Sequence, residues 1–415
     1  MNCSSGDPSS ADASPILTIT SSPHPLVTIR PALTILAVCL WTIAAWTLAN
    51  PGRFDRYGTP KSVDFAQFYV YGRLTATGNG NAMFDRARWS SELTDLWGGP
   101  GPVYVPLYPP TVGLLFAPFG QLSFTQAAMG WSVMSLTLLA GALWLLLQAC
   151  PRLSRDPVTV ALLAAGWPAL HQLLLVGQIS ALWLLIVAAA WHAFRSGRPL
   201  MAGIALGLLG LKPSLLPFAL IVMAGAGQWR AVAGMALSLA AQAAIVSSVY
   251  GAELWSAYAG VVAEVVTHAD RYEPSLWQAH GLLNALVLLL GRGWPALVIY
   301  SVVTIAITVA TIRRWRGSLQ PGADTIAWSL FVLGLVITSP HLYAYDLVIM
   351  AGALLPILEW CLAQSTSPHV RAVERLSGAS YVLPLFGPLI ASVTHVQPSV
   401  VVFVALFLGL ARVRF

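Results

Sequence analysis

The sequence predicts an all-α, polytopic integral membrane protein. Of its 415 residues, 57% are hydrophobic and only 9% are charged, and the mean hydropathy is +0.72. A soluble globular chain carries about 25% charged residues, so this composition excludes a soluble enzyme. Long apolar runs without Asp, Glu, Lys or Arg recur along the whole chain, which predicts many membrane spans.

Twelve apolar segments approach the length of about 20 residues that a membrane-spanning helix needs. They lie near 32–49, 124–148, 157–176, 178–194, 200–211, 214–227, 230–250, 294–312, 323–339, 344–363, 377–394 and 397–412. The two short segments beside Lys212-Pro213 form either a hairpin or one kinked helix. The hairpin is favoured because only then do all the arginine clusters fall on the cytoplasmic side.

Outside the spans, the sequence predicts one tail and two long loops. Residues 1–30 lack the basic start of a cleavable signal, which predicts a disordered cytoplasmic tail before a membrane domain over 31–415. The loops at about 50–123 and 251–293 are outer loops in this topology, and both termini are cytoplasmic. Each loop contains an apolar stretch too short to span, at 108–118 and 282–290, which predicts an interfacial helix.

Several other classes of protein are excluded or disfavoured. The net charge of +6 does not indicate nucleic-acid binding, because the arginines cluster between apolar runs. The four cysteines have neither metal-ligand nor disulfide spacing, so no metal site is predicted. No Gly-rich phosphate loop or dinucleotide-binding pattern occurs. Ionisable and aromatic residues gather in the outer loops, which places proton chemistry on the outer face.

Asp64 is the first candidate for that chemistry. It follows the first span by about fifteen residues, in the aromatic segment Asp-Phe-Ala-Gln-Phe-Tyr-Val-Tyr. An acid among aromatic residues at a membrane surface is partly desolvated, and its pKa rises towards that of a usable base. The alternative is a helix N-cap, a position at which Asp is a favoured residue.

Two basic residues are candidates for holding an anionic group. Lys212 can bind a phosphate as a point charge, or it can extend to the outer lipid headgroups. His341 can donate to a phosphate or share a proton with a hydroxyl, or it can cap a helix end. Asp346 is either the N-terminal acid of the next span or an orienting partner for His341.

The remaining candidates concern a sugar or an acceptor. Gln178 follows Gly177 in a tight turn, where its amide either hydrogen-bonds a sugar hydroxyl or satisfies carbonyls of the turn. Tyr69 and Tyr108 can stack on sugar faces or belong to an interfacial aromatic belt. Further candidates, for acceptor binding or gating, are Asp85, Arg271 and His280.

Short motifs follow one another over roughly residues 40 to 350. They are Asp64-Phe65 with Tyr69 and Tyr71, Gly78, Phe84-Asp85, Tyr108-Pro109-Pro110 with Pro118, Gly177-Gln178, Gly203 to Lys212-Pro213, Ser275-Leu276 and Ser339-Pro340-His341. Their order and spacing resemble those of glycosyltransferase family 87, an alpha-mannosyltransferase-like group with the GT-C fold.

The resemblance implies an inverting transfer of a sugar, mannose by default, from a polyprenyl-phosphate donor to a lipid or glycan hydroxyl. It implies that Asp64 is the catalytic base and that His341 matches a family histidine after a Ser-Pro pair. No second acid stands beside Asp64, so no metal cofactor is required. The implied location is the inner (plasma) membrane among membrane lipids, with an extracytoplasmic active site.

A transporter or flippase, or a ligase of lipid-linked saccharides, is the alternative function. A transporter predicts ionisable residues near the span centres and internal symmetry. The span centres here are almost free of charge, and the sequence contains no evident internal repeat. The distribution of charge therefore favours the transferase.

Overall fold

The computed structural model describes residues 27–99, 101–102, 104–272, 275–318, 324–365 and 367–413. These residues form helices and no β-strand, with isolated β-bridges between Phe54 and Pro60 and between Ala279 and Tyr343. A helix satisfies its backbone hydrogen bonds internally, as a segment in lipid must. The first 26 residues, which make up most of the predicted tail, lie outside the described residues.

In the first half, each predicted apolar segment is helical, with 157–176 divided between two helices, and three short helices lie outside those segments. They are α1 (Arg30–Leu48), α2 (Phe65–Ala76), α3 (Arg86–Trp97), α4 (Thr111–Gly120), α5 (Phe124–Leu147), α6 (Pro151–Ser154), α7 (Pro157–Ala165), α8 (Pro168–Val176), α9 (Ser180–Arg195) and α10 (Pro199–Gly207). A 3-10 turn, Leu208–Leu211, extends α10 as far as Lys212.

The second half is also helical, and each remaining predicted span coincides with a helix. The helices are α11 (Leu216–Gly225), α12 (Trp229–Tyr250), α13 (Glu253–Thr267), α14 (Ala269–Tyr272), α15 (Leu282–Leu290), α16 (Trp294–Gly317), α17 (Thr325–Thr338), α18 (Ala351–Ala363), α19 (Pro368–Thr394) and α20 (Pro398–Ala411). A 3-10 turn, Ala344–Met350, leads into α18.

Among the described residues, six helices are long and apolar enough to cross a membrane. They are α1, α5, α12, α16, α18 and α19, with the 3-10 turns before α1 and α18 included. The pair α7 and α8 passes as a seventh span, bent by 54° before Pro168. Helices α9, α10, α11, α17 and α20 are apolar but shorter, so helix length does not establish the predicted count of twelve spans.

Ion pairs of arginine side chains connect the helices at one end of the bundle. Three ion pairs join helix ends there, Arg30 with Asp156, Arg152 with Glu359 and Arg314 with Asp324. Phe194, near the end of α9, packs on Trp315, near the end of α16, with ring centroids 5.4 Å apart. We call this region the arginine end. It brings together arginines from clusters that the sequence analysis assigns to one side of the membrane.

The opposite end of the bundle holds Asp64, and we call it the site end. The backbone N–H of Asp64 donates to the carbonyl of Val176, 3.0 Å away, so α2 begins where α8 ends. Asp346 lies in the turn before α18, whose last residues carry Glu359 of the arginine end. The α7–α8 pair and α18 therefore connect the two ends.

Residues 199–225 run to the site end and return. Helix α10 leaves the arginine end after α9, and the chain reaches the site end at Lys212, which binds Asp346. Helix α11 returns to the arginine end, where Arg316 Nε donates to the carbonyl of Gly225 at 2.6 Å. This is the course of a hairpin and not of one kinked helix.

The short helices of the first loop pack tightly beside Asp64. A Cβ atom on Gly72 of α2 would lie 2.1 Å from the carbonyl oxygen of Phe116 in α4, so these helices are in backbone contact. Phe65 and Trp131 stack with ring centroids 6.4 Å apart, and the ring centroids of Phe116 and Trp131 are 4.6 Å apart. A buried aromatic core therefore holds the start of α2 in place.

Candidate functional site

Asp64 occupies the N-cap position of α2, but its side chain makes no capping hydrogen bond. Its Oδ1 accepts from the hydroxyl of Tyr104 at 3.0 Å, and its Oδ2 accepts from Nε2 of Gln178 at 2.9 Å. The residue is half-buried. The N-cap alternative therefore predicts the position of Asp64 correctly, at the start of α2. Its prediction that the carboxylate caps the helix is wrong.

The surroundings of Asp64 shift its pKa upwards. Burial is the main cause, and the hydrogen bonds from Gln178 and Tyr104 oppose it, while the negative charge of Asp346 adds to the rise. Burial also raises the pKa of Tyr104, and the neighbouring carboxylate raises it further, so this phenol keeps its proton and donates. A carboxylate with a raised pKa is a stronger base than an exposed one.

The loop between α8 and α9 carries Gln178 to Asp64. Gly177 ends α8 with φ +75°, and a Cβ atom there would lie 2.7 Å from Cβ of Phe65. Glycine permits both the positive φ and this close approach. Nε1 of Trp131 donates to the carbonyl of Gln178 at 3.2 Å. The backbone is thus fixed, and the amide of Gln178 is directed at the acid.

Lys212 forms a buried ion pair with Asp346, and only 6% and 3% of the two residues are exposed. Lys212 therefore does not extend to the lipid headgroups. Asp346 Oδ1 also accepts from Ser180 Oγ at 2.8 Å, and Oδ2 accepts from the backbone N–H of Tyr343 at 3.1 Å. Asp346 is the N-terminal acid of its turn, as one of the two sequence hypotheses has it.

His341 lies in the turn next to the Lys212 segment. Its carbonyl accepts from Ser339 Oγ at 3.1 Å, and Ser339 Oγ is 3.4 Å from Ser214 Oγ. The half-buried imidazole meets the ring of Tyr343 edge-on at 5.1 Å, and Tyr343 stacks on Tyr345 at 5.8 Å. These three aromatic rings therefore pack in a row from His341 to Tyr345, the residue before Asp346.

The two tyrosine candidates have different surroundings. Tyr108 is half-buried and packs edge-on against Phe68 at 4.9 Å. Burial raises its pKa, and the charges of Asp346 and Asp64 raise it further. The hydroxyl of Tyr69 instead donates to the carbonyl of Leu122 at 2.8 Å, in a contact that holds the loop together.

The family assignment rests on a direct comparison. The family model for glycosyltransferase family 87 matches residues 107–340, more than half of the chain. The chain belongs to glycosyltransferase family 87. It is therefore a membrane glycosyltransferase, as the resemblance in the sequence implied. The match includes Gln178 and Lys212, whereas Asp64 precedes it and His341 follows it. Neither the curated proteins nor the solved structures gave a match.

Three candidates of this glycosyltransferase do not bond to Asp64. Asp85 is an exposed N-cap that accepts from the backbone N–H groups of residues 87 and 88 at 2.9 and 3.0 Å. Arg271 is exposed on the short helix α14. His280 is fully buried with Nδ1 2.7 Å from Ser399 Oγ, and burial lowers its pKa to about 3 despite the opposing charge of Asp346. Its imidazole is neutral.

The sequence does not indicate how the residues of the site pair. It indicates neither Tyr104 and Gln178 as partners of Asp64 nor Ser180 and Lys212 as partners of Asp346. A serine at the start of an apolar helix is too common a pattern to indicate such a contact. Within the described residues, no group of three or more His, Cys, Asp or Glu side chains is arranged to hold a metal ion.

Proposed function

We propose that this glycosyltransferase transfers a sugar, mannose by default, from a polyprenyl-phosphate donor to a hydroxyl group of a lipid or glycan. Asp64 is the general base. The observation that carries the proposal is the state of the Asp64 carboxylate, which stands at a helix start without capping it. Tyr104 and Gln178 hold both of its oxygens in a half-buried site.

The reaction follows from that arrangement. The Asp64 carboxylate accepts the proton of the acceptor hydroxyl while the hydroxyl oxygen attacks the anomeric carbon. The bond between that carbon and the donor phosphate oxygen breaks, and the polyprenyl phosphate leaves with the bonding electrons. Attack opposite the leaving group inverts the anomeric configuration. Tyr104 and Gln178 fix the direction of the carboxylate, so proton transfer needs little further ordering.

His341 lies on the phosphate side of the proposed site. Its imidazole can donate to the leaving phosphate, and the rings of Tyr343 and Tyr345 pack in a row beside it, next to Asp346 in the chain. Tyr108 is a candidate surface for the sugar, because the charges of both acids act on it. A monophosphate leaving group can be stabilised by such donors, so the proposal requires no metal.

The proposed active site faces the extracytoplasmic side of the inner (plasma) membrane. The arginine end carries the arginines that the positive-inside rule assigns to the cytoplasm, and Asp64 lies at the other end of the bundle. A donor on a polyprenyl carrier suits that side, since its sugar is presented at the membrane surface.

A donor assay tests the proposal. The purified protein in lipid nanodiscs is given radiolabelled polyprenyl-phosphate sugars one at a time, with a membrane-lipid extract as acceptor. Nucleotide sugars are tested in parallel. We expect transfer from at least one lipid-linked donor, loss of that transfer in Asp64→Asn, and an inverted anomeric carbon in the product. Transfer from a nucleotide sugar without any polyprenyl phosphate would refute the donor class.

A further inference from the structure

The buried pair Lys212 and Asp346 is linked to Asp64 through one short loop. Asp346 accepts from Lys212, from Ser180 and from the backbone of Tyr343, so both of its oxygens have partners inside the protein. A buried ion pair is a weak source of stability compared with packed apolar residues. The position of the pair is therefore the informative feature.

The loop at 177–180, which includes the first residue of α9, forms hydrogen bonds to both acids of the site. Gln178 donates to Asp64 at 2.9 Å, and Ser180, two residues later, donates to Asp346 at 2.8 Å. Both residues are buried, with exposures of 2% and 0%. Because Ser180 lies only two residues after Gln178, its hydrogen bond to Asp346 is a further restraint on the segment that directs the Gln178 amide, beside the hydrogen bond from Trp131.

We propose that Lys212, Asp346 and Ser180 form a positioning unit that holds the 177–180 loop and thereby directs Gln178 at Asp64. The proposal rests on the role of Asp64 as base. Lys212 acts through Asp346, whose charge it balances, and not as a ligand of the donor phosphate. None of the three touches the reacting atoms; each acts through the orientation and the charge surroundings of Asp64.

The unit also affects the charge around Asp64. Among the described residues, the ionisable groups that interact with that carboxylate are Tyr104, Tyr108, Tyr345 and Asp346, and Asp346 is paired with Lys212. Only Asp346 among them adds a negative charge, and it contributes to the raised pKa of Asp64. Neutralising Asp346 therefore lowers that pKa.

A double-mutant cycle between Ser180 and Gln178 is the main test. In the wild-type background, Ser180→Ala should lower kcat about tenfold, the effect of losing one hydrogen bond to a charged group. In the Gln178→Ala background it should change kcat less than about twofold, because the amide it positions is already gone. The control is Ser377→Ala, a half-buried serine of α19 whose hydroxyl donates to the carbonyl of Val373 in its own helix; it should leave kcat unchanged. Equal effects of Ser180→Ala in both backgrounds would overturn the proposal.

Two further variants test the charged members. Asp346→Asn should move the acid limb of the kcat profile to lower pH, whereas a lowered plateau with an unmoved limb would overturn the electrostatic part. Lys212→Met should lower kcat with the donor KM unchanged within about twofold; a raised KM with kcat retained would make Lys212 a donor ligand instead.

The Asp64→Asn variant separates failure of the proposed function from failure of the positioning unit. If Asp64→Asn is active, the base assignment fails. If it is inactive and the cycle is additive, only the positioning unit fails.

Discussion

Asp64 and Asp85 stand at equivalent places in the sequence pattern, each immediately before a short helix of the first long loop, but their carboxylates have different partners. Asp85 accepts from two backbone N–H groups of α3, whereas Asp64 accepts from Tyr104 and Gln178. The backbone explains part of the difference. Asp85 has ψ 114°, the extended conformation of an N-cap, and Asp64 has ψ −23°.

The comparison shows that the position before a helix does not by itself determine the hydrogen-bond partners of an aspartate; the surrounding fold also does. At Asp85 the nearest donors are those of its own helix, and the side chain is exposed. At Asp64 the aromatic core and the loop after α8 bring a phenol and an amide to the carboxylate. A carboxylate that is withdrawn from capping and held by other side chains is available for chemistry.

The largest expected effect comes from removing the base. Asp64→Asn keeps the size and polarity of the side chain but cannot accept a proton, so turnover should fall by about 100- to 10,000-fold. The matched variant Asp85→Asn should keep full activity, because Asn caps a helix as well as Asp does. Turnover is measured with the lipid-linked donor. A folded, fully active Asp64→Asn protein would end the base assignment.

The next effect concerns the two donors to Asp64. Their hydrogen bonds stabilise the charged carboxylate and lower its pKa. Gln178→Ala or Tyr104→Phe should therefore raise the pKa of Asp64 and shift the acid limb of the kcat/KM profile to higher pH. A loss of about tenfold in kcat is expected from the poorer orientation. An acid limb at the wild-type pH in both variants would show that these contacts do not act on the base.

A smaller effect, on stability alone, is expected at Asp85, whose side chain caps α3. Asp85→Ala removes two hydrogen bonds at the start of α3 and should lower the free energy of unfolding by about 0.5 to 2 kcal/mol. The measurement is thermal unfolding of the purified protein, with Asp85→Asn as the control of unchanged Tm. Lost activity at wild-type stability would instead support the acceptor or gating role that the sequence suggested for Asp85.

The smallest effect on activity is expected from a labelling variant at the cap. Asp85→Cys should react rapidly with an impermeant thiol reagent added to intact cells and should keep its turnover, because Asp85 is exposed and its side chain bonds to the backbone of α3. Asp64→Cys should react from the same side but more slowly, since position 64 is half-buried. The parent protein with its native cysteines gives the background. Labelling only after permeabilisation would invert the proposed topology.

The sequence predicts the helices well because apolar runs are local features. Every predicted span coincides with a helix, and the hairpin at 200–227 was favoured from the arginine clusters alone. The segment 157–176 is predicted as one span, but it is bent before Pro168. The proline is a signal of this bend, because its ring disturbs the preceding turn of a helix. The number of full spans depends on how the short helices lie in the bilayer, and a hydropathy pattern does not encode that.

The site was predicted only in part. Asp64 and Gln178 were named separately, and no local pattern indicates that they meet across 114 positions of sequence. For Asp346 the local hypothesis, an N-terminal acid, is confirmed, whereas its pairing with Lys212 depends on the packing of distant helices. Contacts between residues far apart in the chain follow from that packing and leave no periodic signal.

The long separation between Lys212 and Asp346 has a consequence for biosynthesis. The two residues are 134 positions apart, and a ribosome adds about 5 to 20 residues per second, so Lys212 is made roughly 7 to 27 s before its partner. During that interval it lies between two apolar segments without a counter-charge. Its long side chain can reach the lipid headgroups from the end of a short helix. The final burial of Lys212 therefore waits until the turn before α18 enters the membrane, which makes the completed site a late product of assembly.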